Sequence, residues 1–366
     1  MRNGEVERCD THEGIDRCHG TLSRGGSMME ELLRRLCSAH GVPGQEHEVA
    51  GIVAEEAARN MYETRRDALG NVVLTKEGTH PGPSVMLCAH MDEVGAMVRY
   101  IDDDGFLYID PLGSIDTYRL LGQRVIVGTT ASGIVEQKEK PNDKKPTFND
   151  LYVDIGASSR EDVEREGIRI GTAITRVSPF APLIGSRFIS KAFDNRSGVC
   201  VMLEVCRRLD QFPGTVHAVA TGQEEVGTRG AHVAAQSVRP DLCIVLDVTF
   251  SYDTPQKKEK KDTNVVLGGG PALTLKDDGM ILSAPLRAIV EETAKELGIP
   301  LQYDISKGKT DAAPVYQSNG GVPTMALLIP LRYMHTGNEI VDMCDLERTV
   351  ELICALIERS DTITLP

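Results

Sequence analysis

The sequence predicts an α/β protein, an open sheet with helices around it, interrupted by a small inserted β-rich domain. Three observations carry this. Short apolar runs at 83–89, 216–220, 242–246 and 324–328 alternate with stretches of helical period. Each run leads to a chemistry-bearing residue: His90, the pair Glu224–Glu225, Asp247 and, a little further on, His335. Between 97 and 186 the texture changes to short alternating strands broken by turns. The 366 residues are 41% hydrophobic, enough for two domains with a substantial core.

Composition narrows the function. The chain carries 40 basic and 54 acidic side chains, a net charge of −14, which argues against nucleic acid or an anionic membrane as partner. No apolar run approaches the roughly 20 residues of a membrane helix, and the start lacks the charged-then-apolar pattern of a secretory signal. The nine cysteines are scattered, several (Cys88, Cys200, Cys243, Cys354) inside apolar runs, which fits a reducing cytoplasm.

Residues 1–27 are polar and aperiodic, and read as a disordered tail. Cys9, His12, Cys18 and His19 within it match no standard zinc spacing. A first helix places Leu32, Leu33 and Leu36 on one face and stops at Gly41; a second turns Val49, Ile52, Val53 and Ala57 inward. A strand follows at 71–74, and His80-Pro-Gly-Pro reads as a turn before the buried run 83–89. In the insert a helix is expected near 161–166 and a solvated lysine-rich loop at 138–145. The α/β pattern resumes with Asp194 ahead of a helix carrying Val199, Met202, Leu203, Val205, Cys206 and Leu209. Further on come an exposed charge run at 255–262, an amphipathic helix at 286–297 and a closing helix at 346–357. There is no repeat and no nucleophile elbow. Gly308-Lys309-Thr310 imitates the end of a phosphate loop, but Tyr303 stands where its first glycine is required.

The run through 216–231, VHAVATGQEEVGTRGA, is the centre of the reading: buried strand, sharp turn, paired acids, helix. An open sheet delivers chemical groups to the carboxyl edge of its strands in this way. Of two adjacent acids, one can bind a metal while its neighbour handles a proton. A solvated helix start would show the same pair, so the rest of the edge decides. His90-x-Asp92 ends one strand with both side chains on the same face, where Asp92 can orient a metal-binding His90. Asp247 is a third acid at a strand terminus. His90, Asp194, Glu225, Asp247 and His335, with Glu224 beside them, suit a pair of zinc-like cations bridged by one carboxylate.

LCAHMDEVGAMV, SKAFDNRSG, ATGQEEVGTRGA, VLDVTFSYDTP, GKTDAAPVYQSNGGVPT and IPLRYMHTGNEIVD resemble the tetrahedral, dodecameric aminopeptidases and glutamyl aminopeptidases. These are two-metal peptidases often labelled endoglucanase or cellulase M, and the likeness runs in order from about Met29 to the C-terminus. It implies a mixed-sheet metallopeptidase domain at 28–96 plus 187–366, with 97–186 as a dimerisation domain. His90 and Asp247 would hold one metal, Glu225 and His335 the other, and Asp194 would bridge them. Glu224 would act as general base and then acid, Asp92 would orient His90, and the Asp194–Asn195 peptide would be cis. The metals implied are two divalent ions per subunit, Zn2+ or Co2+. The assembly would be a hollow tetrahedron of twelve chains, admitting short peptides.

The reading is therefore a cytoplasmic metalloaminopeptidase. A metal-dependent deacylase or carboxypeptidase shares much of the same logic, though TGQEEVGTRGA and RYMHTGNEI favour the aminopeptidase. An endoglucanase fits poorly: the chain has no Trp and only 4% aromatics for a sugar cleft, and its carboxylates are committed as ligands. A non-catalytic relative would have lost one of these groups. Thr310 and Asp311 are candidates for the pocket that receives the first residue of the substrate.

Overall fold

The computed structural model describes residues 28–138, 145–255 and 265–363. The N-terminal tail with its cysteines and histidines, most of the lysine-rich loop and most of the charge run lie outside the described residues.

Two helices open the chain, α1 (Met28–Ser38) and α2 (His47–Arg59), followed by β1 (Glu63–Arg66), β2 (Val72–Glu77) and β3 (His80–His90). The insert contributes β4 (Gly95–Ile101), β5 (Leu107–Leu112), α3 (Thr117–Leu120), β6 (Arg124–Val127) and β7 (Ala131–Gln137). It continues with β8 (Leu151–Asp154), α4 (Arg160–Arg165) and β9 (Ala173–Arg176). Beyond it lie β10 (Ala181–Pro182), β11 (Arg187–Ser190), α5 (Phe193–Arg208), β12 (Pro213–Thr221), α6 (Arg229–Val238) and β13 (Leu242–Phe250). The chain closes with β14 (Ala272–Lys276), α7 (Ala284–Leu297), β15 (Gln302–Ile305), α8 (Ala312–Tyr316), β16 (Thr324–Leu331), β17 (Glu339–Asp342) and α9 (Met343–Glu358).

The main sheet has eight strands in the order β1-β2-β12-β3-β13-β16-β14-β15. Its centre, β12-β3-β13-β16, is parallel; β2 and β14 join it antiparallel, so the sheet is mixed. Both faces of the centre are covered, and its strands read as apolar runs for that reason. Along β13, Leu242, Ile244, Leu246 and Val248 face the larger core with α1, α2, α5, α7 and α9, while Cys243 and Val245 face α6 and α8. No described helix is long and apolar enough to cross a membrane.

The insert closes on itself as a barrel, β4-β5-β8-β7-β6-β9. Its inward positions alternate, as Val125 and Val127 on β6 or Leu151 and Val153 on β8 do, and they build a separate core. The short β10-β11-β17 sheet lies where the chain returns.

Two local expectations are corrected. His80-Pro-Gly-Pro is no turn but the exposed opening of β3. On that stretch β13 pairs with β3 only from Val85 onward, and the β12 register slips between Pro213 and Thr215. The prolines' missing N–H groups therefore interrupt no regular ladder. Asp247 does not terminate its strand: β13 runs on to Phe250, paired with β16 through Leu331. It lies beyond the last residue that β13 shares with β3, in the opening between them.

Candidate metal centre and active site

The turn after β12 brings the paired acids to the edge of β3. His90 lies opposite Thr221 in the parallel ladder, so the residues following each strand share one edge. Gln223, with φ near 59°, turns the chain, and the carboxylate of Glu46 accepts its N–H at 3.1 Å. Gly230 lets α6 close against this turn: a Cβ there would stand 2.3 Å from Asn71 Oδ1 and 2.4 Å from the Gly222 carbonyl. Asp92, fully buried, accepts the main-chain N–H of Glu224 and of Glu225, each at 3.0 Å.

The loop after β3 is fastened from beneath. Arg196, wholly buried, donates to the carbonyls of Met91 and Leu36, both at 2.6 Å, and Glu93 pairs with Lys191 at 2.7 Å. His90 Nδ1 faces the main-chain carbonyl of Asp92 at 3.1 Å and its carboxylate at 3.6 Å. A carbonyl only accepts, so Nδ1 carries a proton, and Nε2 is the ring atom turned toward the carboxylates and the one a metal would take. Asp92 thus steadies His90 mainly through its carbonyl and spends its carboxylate on the glutamate turn.

His90 Nε2 lies 3.2 Å from Asp194 Oδ1 and 3.7 Å from Asp247 Oδ1. His335 Nε2 lies 3.1 Å from Asp194 Oδ2 and 3.4 Å from Glu225 Oε2. Each oxygen of Asp194 therefore faces a different imidazole. The Asp194–Asn195 peptide is cis, and Asn195 anchors to the Leu246 carbonyl at 2.9 Å. Glu224 Oε2 stands 3.9 Å from His90 Nε2, beside the group rather than within it.

The electrostatics of the cluster follow from burial. Burial raises Glu224 well above the usual carboxylate range; His90 opposes this, while Asp247, Asp311 and Glu225 add to it. Burial and then Asp194 raise Glu225 in the same way, and burial first raises Asp247. On Asp194 burial acts upward, but the hydrogen bonds from His335 and His90 prevail and hold it below its ordinary value. Burial acts downward on both imidazoles, yet the carboxylates, Asp194 first, raise them. Burial and mutual repulsion thus disfavour the charged forms of Glu224, Glu225 and Asp247, and a bound cation would relieve both.

The donor set fits metal ions. The donor atoms of His90, Asp194 and Asp247 all lie within 4.8 Å of one another, as do those of Asp194, Glu225 and His335. Nitrogen and carboxylate oxygen in these numbers suit zinc and its neighbours. Glu225 Oε1 is buried without a hydrogen-bond partner, the condition of an oxygen able to serve a cation.

The sequence singled out all of these side chains, but not what holds them. Glu339 accepts the N–H of Asp194 at 3.0 Å and of His335 at 2.8 Å, and Arg176 donates to the His335 carbonyl at 2.8 Å. Glu339 stands inside the quoted RYMHTGNEI motif; Arg176 comes from the insert and carried no signal. The Asp311 carboxylate is buried: one oxygen accepts from the Thr221 hydroxyl and the Cys88 thiol, and the other has no hydrogen-bond partner. A cleft beside His335 is lined by Asp116 and Arg119 of the insert and by Phe250, Tyr333 and Met334.

A mixed α/β sheet with imidazoles and carboxylates converging at its edge, and one more carboxyl group beside them, describes the class of metal-dependent peptidases. Residues 70–352 match the M42 glutamyl aminopeptidase family. The chain belongs to this family and is an aminopeptidase. It is 35% identical over 341 residues to a lysyl aminopeptidase of Pyrococcus furiosus, covering 90% of this chain and 96% of that one. An aminopeptidase structure from the archaeon Desulfurococcus kamchatkensis superposes with a TM-score of 0.87 at 36% identity, covering 92% and 98% of the two chains. A Pyrococcus horikoshii TET1 peptidase, which can assemble into a tetrahedron or a large octahedral shell, matches with a TM-score of 0.81 at 29% identity. That match covers 90% of this chain and 99% of the other.

Proposed function

We propose that this aminopeptidase removes N-terminal residues from short peptides with a pair of divalent cations, zinc or cobalt, held at the sheet edge. His90 and Asp247 would hold one, Glu225 and His335 the other, and Asp194 would serve both. The observation that carries this reading is the division of Asp194, whose two oxygens face His90 and His335 at 3.2 and 3.1 Å. Bound there, the cations would polarise the scissile carbonyl and make water a better nucleophile near neutral pH. Glu224 stands apart from both donor groups, and its burial favours holding a proton. It takes the proton from water and passes it to the departing amine. Asp92 fixes the direction of that carboxylate by gripping the N–H groups of the turn. The cleft between insert and main sheet receives the peptide. The barrel supports contacts between copies in a dodecamer like those of TET relatives, in the cytoplasm.

Purified protein assayed on aminoacyl-p-nitroanilides and short peptides tests this. Activity should vanish on chelation and return with zinc or cobalt. Glu224→Gln should lower kcat by roughly 10²–10⁴-fold while metal content stays at two per chain. A metal-replete Glu224→Gln variant that cleaves peptides as well as the wild type would remove Glu224 from the mechanism.

A further inference from the structure

The loop that carries His335 is held from two directions by groups outside the donor set. His335 has φ near 60°, which a non-glycine residue keeps only where its surroundings determine it. Its N–H donates to Glu339 Oε1 at 2.8 Å, and its carbonyl accepts from Arg176 Nη1 at 2.8 Å. The second oxygen of Glu339 accepts the N–H of Asp194 at 3.0 Å. One carboxylate therefore spans the main chains of two neighbouring donors.

Arg176 ends β9 and so belongs to the barrel. Only 3% of it is exposed and its Nε has no hydrogen-bond partner; among the described residues no carboxylate is within ion-pair distance, although Glu339, Glu93 and Glu225 attract its charge from further off. Its other hydrogen bond, Nη2 to the Val94 carbonyl at 3.4 Å, falls where the chain enters the barrel. A buried guanidinium without an ion pair is costly, and an apolar side chain would fasten two domains at less cost. What the arginine supplies, and an apolar group would not, is a donor aimed at the His335 peptide.

Resting on the metal-centre reading above, we propose that Arg176 and Glu339 are positioning residues that clamp the His335 main chain, so that the barrel insert sets the placement of one metal ligand. Glu339 fixes His335 relative to Asp194. Arg176 fixes it relative to the barrel. Among the described residues the other donor pair, His90 and Asp247, has no such link to the insert, so loss of the Arg176 arm should fall on the His335 cation and spare the other, whereas loss of the Glu339 arm, which also holds Asp194, should reach both.

Cobalt(II) is the probe, because its visible absorption reports the geometry of each bound equivalent. In the full-length protein Arg176→Gln should weaken one equivalent by roughly 10–100-fold and change its absorption, leaving the other as in the wild type. On peptide substrates kcat should fall with KM nearly unchanged. Arg176→Lys, which keeps the charge and a donor, should recover part of the loss, and Glu339→Gln, which also loosens the hold on Asp194, should weaken both equivalents. Where Arg176→Gln does not fold, the lysine variant decides by the same readout. A folded variant that takes both equivalents with wild-type affinity and absorption would overturn the clamp. Equal weakening of both equivalents by Arg176→Gln, unrelieved by lysine, would overturn it too, since that reports general damage. Wild-type protein that takes up no cobalt would overturn the metal-centre reading itself.

Discussion

Replacing Asp92 by Asn separates two ways in which this residue could serve the site. Asn keeps one acceptor oxygen, so of the two N–H groups of Glu224 and Glu225, each now 3.0 Å from a carboxylate oxygen, one faces an amide NH2. A hydrogen bond to a charged group contributes about 1.5–3 kcal/mol, and at this buried position no water replaces it. If all of that loss appeared in the placement of Glu224, kcat would fall roughly 10- to 150-fold, at about 1.4 kcal/mol per factor of ten. His90 should remain in place, because Nδ1 is held at 3.1 Å by the Asp92 carbonyl, which the substitution leaves intact. The expected pattern is a reduced kcat with metal content unchanged, measured by steady-state kinetics on aminoacyl-p-nitroanilides and by metal analysis after dialysis. Loss of one metal ion with kcat per loaded site unchanged would refute this reasoning and return Asp92 to the role of orienting His90.

Gly230→Ala should destabilise the chain by about 1–3 kcal/mol and depress activity, since its Cβ would collide with Asn71 and the Gly222 carbonyl behind the Glu224 turn; thermal unfolding and kinetics test both. Asp345 on α9 gives a pH prediction away from the metal centre. Burial pushes its carboxyl up to about 7 although the N–H groups of Gly268 and Gly270 pull it down. The protonated form is favoured in the folded chain, so its stabilising contribution is full below the ordinary carboxylate pKa and lost as pH rises toward 7. Asp345→Asn should therefore gain Tm relative to the wild type as pH goes from about 4 to 7; a parallel course of the two Tm profiles would refute the shift.

What could be read beforehand was whatever depends on a residue and its near neighbours. Burial on both faces makes a central parallel strand apolar throughout, so the runs leading to His90, Glu224 and Asp247 stood out, and the groups beyond them could be gathered at one edge. The extent of a strand depends on its partner. β13 continues past Asp247 because β16 continues beside it, and nothing within VLDVTF announces this. The prolines at 81 and 83 were read by their local preference, while their strand is decided by β12 across the ladder. Closure of the barrel depends on β4 meeting β9, whose paired residues Ala96 and Ile174 are far apart in the chain. Arg176 was invisible for the same reason. A lone arginine ending an alternating strand resembles any solvated one until the fold buries it against His335.

The closed barrel also limits what the insert can do with its neighbours. An open sheet edge invites another strand, and each added strand exposes a new edge, so growth by pairing has no natural stop. The ring β4-β5-β8-β7-β6-β9 has no such edge to offer. Contacts through it must be made by side chains on its outer wall and by its loops. Such a module cannot grow by strand addition, and it keeps that property however much its surface residues drift.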